Sequence, residues 1–188
     1  LAYIGVSLDL EGDTVVIDVG GGSTELICRA KTGAVKAISL ELGASRATEH
    51  WITSDPSTAG ERSGIHQESR KYFNRVKRQF GPGPSGRVLA GVAGTITTLA
   101  SLDAGLEEYQ SDAIHLRTLS LQAVRALVAR LGAMTTAERA ALSCVQAGRA
   151  PVIVAGAVIV QAAMETLGYE SLTVSERDML DGLVLRGA

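Results

Sequence analysis

Aromatic residues are scarce in this chain: one tryptophan, two phenylalanines and four tyrosines make up 4% of it. A core without large rings must be built from Val, Ile, Leu and Ala, as in α/β proteins with a buried central sheet. Cysteine is scarcer still. Cys28 and Cys144 each sit among apolar neighbours, in no CxxC or Cys/His spacing. That excludes a disulfide framework and a zinc-ligand motif, and both thiols read as reduced core residues. His50, His66 and His115 lie far apart and show no metal-ligand pattern. There is no excess of positive charge. The net charge is -2, which leaves no global basic field for nucleic acid. No apolar run reaches the roughly 20 residues that cross a bilayer. No leader segment is legible, so no membrane and a cytoplasmic location are expected.

What is present is a globular composition, 46% hydrophobic and 20% charged over 188 residues. Such a chain makes one domain or two small lobes and can bury roughly 70% of its unfolded surface. The pattern opens with two β-rich runs, Thr14–Val19 and Thr24–Arg29, joined by glycines. A third, Ala34–Leu42, follows the turn signal at 31–33. Short connections predict an antiparallel meander. Thr53–Gly64 is rich in turn formers and reads as a loop. Ile65–Phe80 has helical spacing and is broken by GPGPSG at 81–86. Arg87–Val92 reads as a strand and Gly94–Leu102 as a helix. Ser120 caps an amphipathic helix ended by Gly132, and a short helix follows near Thr136–Leu142. Pro151 suits the first turn of a long apolar helix to Leu167. Ser171–Ser175 closes as a strand and Glu176–Arg186 as a helix. Residues 1–5 resemble the last turn of an element ended by Gly5, and 101–116 is ambiguous. The order predicts an α/β fold with an antiparallel edge, a mixed sheet and flanking helices.

The stretch VVIDVGGGSTELI at 15–27 carries the chemistry. Gly20, Gly21 and Gly22 permit close backbone approach, so successive amides can form an anion nest, with Ser23 and Thr24 adding hydroxyl donors. This is neither a Walker A loop nor a dinucleotide fingerprint, because the glycines precede a strand and not a helix. Asp18 at the nest mouth is placed to hold Mg²⁺ beside phosphate. Glu25 is placed to orient or deprotonate an attacking water. A hairpin with exposed polar residues is the plainer reading. A second glycine turn, LAGVAGTITT at 89–98, leads from strand into helix. Gly94 and Thr95 there offer a helix N-terminus to phosphate, or else serve only close packing and capping.

VIDVGGGSTEL resembles the second phosphate motif of the exopolyphosphatase and guanosine pentaphosphate phosphohydrolase (Ppx/GppA) family, whose core is the ribonuclease H-like α/β fold of the actin, hexokinase and heat-shock-ATPase superfamily. GVAGTITTLASL resembles its later Gly-Thr turn, GRAPVIVAGAVIV its conserved helix and VSERDMLDGLVLRG its closing strand and helix. The likeness runs from Leu1 to about Arg186. It implies Mg²⁺-dependent hydrolysis of a terminal phosphoanhydride, on inorganic polyphosphate or guanosine pentaphosphate. Glu25 matches the catalytic glutamate, Asp18 the metal-associated aspartate and Gly20–Thr24 the phosphate cradle. Members open with another ribonuclease H-like domain bearing a DxGSNS-type motif and a further glutamate. Residues 1–188 therefore read as the C-terminal half, with its active site completed by the missing N-terminal domain. Pro151 stands where members commonly carry an aspartate after Arg-Ala.

Other features divide less sharply. Arg70, Lys71, Arg75, Lys77 and Arg78 on the helix 65–80 suit a polyphosphate track, but a solvated face is the favoured reading. Arg149 is in reach of the cleft on one reading only. Trp51 belongs in the core or at a domain interface, and the helix from Pro151 in the interior or at a homodimer contact. Glu176, Arg177 and Asp178 suit a helix N-terminal turn. Two other functions compete with hydrolysis. One is a non-catalytic module binding polyphosphate or guanosine tetraphosphate, against which the retained Glu25 argues, since a carboxylate repels phosphate. The other is a sugar-kinase-like ATPase, for whose second substrate base there is no candidate.

Overall fold

The computed structural model describes residues 13–29, 34–81 and 87–177, together with Val6 and Leu10. Three strands open it: β1 (Thr14–Val19), β2 (Thr24–Arg29) and β3 (Val35–Leu40). Helices α1 (Ala44–Trp51) and α2 (Ala59–Phe80) follow, then β4 (Val88–Val92) and α3 (Ala93–Asp103). The later part holds α4 (Ser111–Ile114), β5 (Thr118–Ser120), α5 (Leu121–Gly132), α6 (Thr136–Ala140), a 3-10 turn (Ala147–Arg149), α7 (Ile153–Leu167) and β6 (Ser171–Val174).

The strands form one six-stranded sheet in the order β3-β2-β1-β4-β6-β5. β1 to β3 are antiparallel, the expected meander. β4 lies parallel to both β1 and β6, and β5 returns antiparallel on β6. Alternation puts Val15, Ile17, Val19, Leu26 and Cys28 on the face that meets the helices, in the main core. Val16, Ala90 and Val92 fill a smaller cluster on the opposite face with Val6. α7 runs through the middle of the helix layer, packed against α1, α2, α3 and α5. Only Gln161 and Glu165 of α7 are partly exposed, which explains its all-round apolar sequence. Gly168, at φ 87, ends it in the left-handed conformation. Ser120 caps α5 as expected, accepting from the Ala123 amide. Cys28 and Cys144 are buried and unpaired with each other, and burial pushes both thiols up. No helix among the described residues is long and apolar enough to cross a membrane.

Some expectations need correction. The loop assigned to 53–64 ends at Thr58, because a capping box with Glu61 starts α2 six residues earlier than hydrophobic spacing suggests. α1 and β5 were not foreseen, being short elements whose place is set by packing. Glu176 and Arg177 are not helical. Glu176 Oε2 accepts from the Tyr109 hydroxyl at 2.6 Å, and the rest of the expected closing helix lies outside the described residues. The segments 1–5, 31–33 and 82–86 likewise lie outside them.

Candidate active site

Register brings the two carboxylates together. Asp18 at the end of β1 pairs directly with Glu25 of β2, so both side chains share one face, with Cβ atoms about 5 Å apart by the geometry of such pairs. Glu25 pairs in turn with Ser39 of β3, whose hydroxyl donates to Glu25 Oε1 at 2.8 Å. The row Asp18–Glu25–Ser39 thus crosses three strands. Partial burial, and then the charge of Glu25, push the Asp18 carboxyl up to about 6. Among the described residues no three His, Cys, Asp or Glu side chains converge on a metal.

The glycine turn is held from below. Its Gly20 amide donates to the Ser23 carbonyl at 3.0 Å. The first amides of α1 then donate outward to it: Ala44 to the Gly20 carbonyl at 2.8 Å, and Ser45 and Arg46 to that of Gly21 at 2.9 and 3.2 Å. The turn's carbonyls therefore satisfy a helix N-terminus. The Gly21 and Gly22 amides donate to no acceptor among the described residues, and both glycines are exposed. This approach requires Gly43, where a Cβ would lie 2.3 Å from the Gly21 carbonyl oxygen. Sequence reasoning missed Gly43. Its one signal is a glycine just ahead of a helix.

Two of the hydroxyls expected to meet phosphate, those of Thr24 and Thr95, face inward. Thr24 Oγ1 is buried and donates to the Leu42 carbonyl, and Thr95 Oγ1 donates to the Val19 carbonyl at 2.8 Å. The Thr95 bond ties the second turn to the first. Between them lies a concavity of 240 Å³ walled by Val19, Gly20, Gly21, Gly94, Thr95 and Arg149, with further residues from α1 and α7. α3 opens onto it with no side-chain cap, so its first amides are available. Ala93, at the corner between β4 and α3, sits at φ 66, a left-handed conformation unusual for alanine. The 3-10 turn delivers Arg149 to the same place. Its guanidinium lies over Gly94, where a Cβ would come within 2.0 Å of it, and reaches Thr98 Oγ1 at 3.4 Å. Arg149 pairs with no carboxylate among the described residues. Gly20, Gly21, Gly94, Thr95 and Arg149 are thus gathered into one hollow. Asp18 and Glu25 stand beside it on the sheet, while Gly22, Ser23 and Thr24 lie off its wall.

An uncapped helix N-terminus, free turn amides and an unpaired arginine around one hollow suit an anion of several phosphates. The chain is 38% identical over 175 residues to Exopolyphosphatase 2 of Mycobacterium tuberculosis, covering 91% of the chain and 54% of that relative. It is 31% identical over 179 residues to Exopolyphosphatase 1 of Mycobacterium leprae, covering 93% and 51%. The crystal structure of the Aquifex aeolicus Ppx/GppA phosphatase superposes with a TM-score of 0.88 at 31% identity, over 98% of this chain and 61% of that one. The chain therefore spans about half the length of the curated relatives it matches. The model of the Ppx/GppA phosphatase family matches residues 1–188, and the chain belongs to that family.

Proposed function

We propose that this chain forms the phosphate-holding wall of a phosphoanhydride hydrolase, and that the intact protein releases terminal phosphate from inorganic polyphosphate or guanosine pentaphosphate in the cytoplasm. The observation that carries the proposal is the cross-strand pair Asp18–Glu25 set beside the glycine turn. In this reading the Gly21 amide, the first amides of α3 and Arg149 take the phosphate oxygens. Phosphoryl transfer asks chiefly for such positioning and charge neutralisation. Ser39 holds Glu25 Oε1, which fixes the carboxylate and leaves Oε2 to accept a proton from water. The opposite wall would come from the N-terminal domain that the resemblance implies.

The residues fit Mg²⁺. A carboxylate whose proton is retained against a facing carboxylate is a place where a divalent cation relieves repulsion. One or two carboxylates plus substrate oxygens suffice for Mg²⁺. Asp18, with Glu25, would hold it, and the ion would supply neutralisation of phosphate charge.

The test is phosphate release from polyphosphate with Mg²⁺ by the intact parent protein and its Glu25→Gln variant. Loss of about 10²–10⁴-fold in kcat with folding unchanged is expected for a removed general base. A parent that binds polyphosphate and releases nothing would make it a non-catalytic binding module.

A further inference from the structure

Among the described residues Arg139 is the one charged side chain that is buried, at 3% exposure. It stands on α6, and each nitrogen of its guanidinium is engaged. Nε donates to the Ala150 carbonyl at 2.9 Å, Nη1 to the Leu131 and Met134 carbonyls at 3.0 and 2.7 Å, and Nη2 to Thr136 Oγ1 at 2.8 Å. Its counter-charge is Asp55, 3.7 Å away and half-exposed. Asp55 also accepts from the Thr136 amide, at 2.9 and 3.0 Å from its two oxygens. A buried guanidinium is costly to desolvate, and an apolar side chain of similar volume often stabilises a fold as well. The reason for an arginine here is therefore sought in what its fork holds together. It joins the end of α5 and the link into α6 to the exit of the 3-10 turn.

Ala150 is that exit. It is fully buried, follows Arg149 directly and precedes Pro151, which has no amide hydrogen to donate. No backbone amide among the described residues donates to the Ala150 carbonyl. Without Arg139 this acceptor would stand unpaired in the interior, a costly state for a buried carbonyl. The turn itself is three residues long. Its Arg149 amide donates to the Gln146 carbonyl at 2.8 Å, and the Val152 amide donates to the Arg149 carbonyl at 3.0 Å. The Arg149 guanidinium has little to hold it at its own end. Its hydrogen bond among the described residues is the long one to Thr98 Oγ1, at 3.4 Å. Its aim over Gly94 is therefore set by the backbone behind it, and Arg139 is the side chain that clamps that backbone.

We propose that Arg139 is a positioning residue for substrate: through the Ala150 carbonyl it fixes the turn that points Arg149 into the hollow, so that a buried arginine and a phosphate-facing one act as a unit. The inference rests on the hydrolase reading above, in which Arg149 takes phosphate oxygens. Lysine does not replace Arg139 in this role. An ammonium keeps the charge but lacks the planar fork that serves several carbonyls at fixed angles.

The test is a double-mutant cycle on the intact parent protein: Arg149→Ala, Arg139→Lys and the two together. Each is assayed for kcat/KM in phosphate release from inorganic polyphosphate and from guanosine pentaphosphate, with circular dichroism to check the fold. Loss of a charge-assisted contact predicts a fall of about 10–100-fold for Arg149→Ala. Arg139→Lys should lower kcat/KM roughly tenfold in the parent, as for a misplaced binding group. In the Arg149→Ala background it should change kcat/KM by no more than about twofold. A side chain that merely holds the core together would instead add its loss to that of Arg149→Ala. Additive losses overturn the proposal, as does an unchanged kcat/KM in either single variant. If Arg139→Lys does not fold, Thr136→Val takes its place, being of the same shape, half-buried and without the partner of Nη2. A loss of about twofold or more that disappears without Arg149 is then expected, and no loss or an additive one overturns the proposal. A parent that releases phosphate from neither substrate defeats the hydrolase reading by itself. The same cycle on the Kd for inorganic polyphosphate then decides Arg139: non-additive losses uphold it, and additive losses or no binding overturn it.

Discussion

At Asp18, burial and the facing Glu25 both disfavour the charged carboxylate, so ionising it works against the fold. The folded value, about 6, lies above the ordinary aspartate value of 3.8. The folded chain therefore binds more protons across that window, and stability falls as pH rises through it. Asp18→Asn should stabilise the chain at pH 7.5 by about 1 kcal/mol after allowance for partial exposure, or about 2–4 °C in Tm. The gain should shrink as pH is lowered from 6 towards 3.8. Thermal melts of both proteins over that range check it, and a pH-independent difference would refute it. At this scale the sequence was readable where one residue type carries the meaning. Asp18, Glu25 and the glycines stand out in VIDVGGGSTE. Ser39 and Gly43 do not, because their roles exist only through strand register and the approach of α1. The inward turn of the Thr24 and Thr95 hydroxyls was equally hidden, since a buried hydroxyl follows whichever carbonyl the fold presents.

Among the elements, α2 owes its start to one side chain. Glu61 accepts from the amides of Thr53, Ser54 and Thr58 and from the hydroxyls of Thr53 and Thr58. It thereby fastens the incoming segment as well as the helix end. The Thr58 and Thr53 amides, chiefly, hold its carboxyl down at about 2. Its stabilising effect is complete above the ordinary glutamate value of 4.5 and is lost as pH falls through about 2. Glu61→Gln should cost about 1 kcal/mol at neutral pH, typical of a lost cap, and only a part of that at pH 2, where about half of the folded carboxyl is protonated. Denaturant unfolding at the two pH values measures this. The long periodic elements were legible in the sequence, while the capping box was masked by the turn formers TSDPST around it. Short elements such as β5 carry too few residues for any period to show.

For the whole molecule, α7 is the shaft on which both the helix layer and the hollow are mounted. Gly156 lies against Thr95, where a Cβ would come within 2.6 Å of the methyl and 3.2 Å of the hydroxyl that ties the two turns together. Gly156→Ala should lower stability by about 1–3 kcal/mol through overpacking. It should also raise the KM for phosphate substrates by displacing Thr95, which lines the hollow. A melt and a kinetic assay on the same preparation check both effects, and a change in Tm alone would uncouple the core from the site. The sheet carries a second consequence. β1 is clamped antiparallel by β2 and parallel by β4, so Asp18 is indexed to Glu25 on one side and to Val92 on the other. A one-residue slip of the β1–β2 hairpin as a unit against β4 would swing both carboxylates into the layer occupied by Ile17, Val19 and Leu26. The misthreaded sheet would then enclose two mutually repelling acids with no cation to meet them. The pair proposed to serve catalysis thus also proofreads assembly, and insertions or deletions within residues 15–28 would be purged by folding before activity was ever tried.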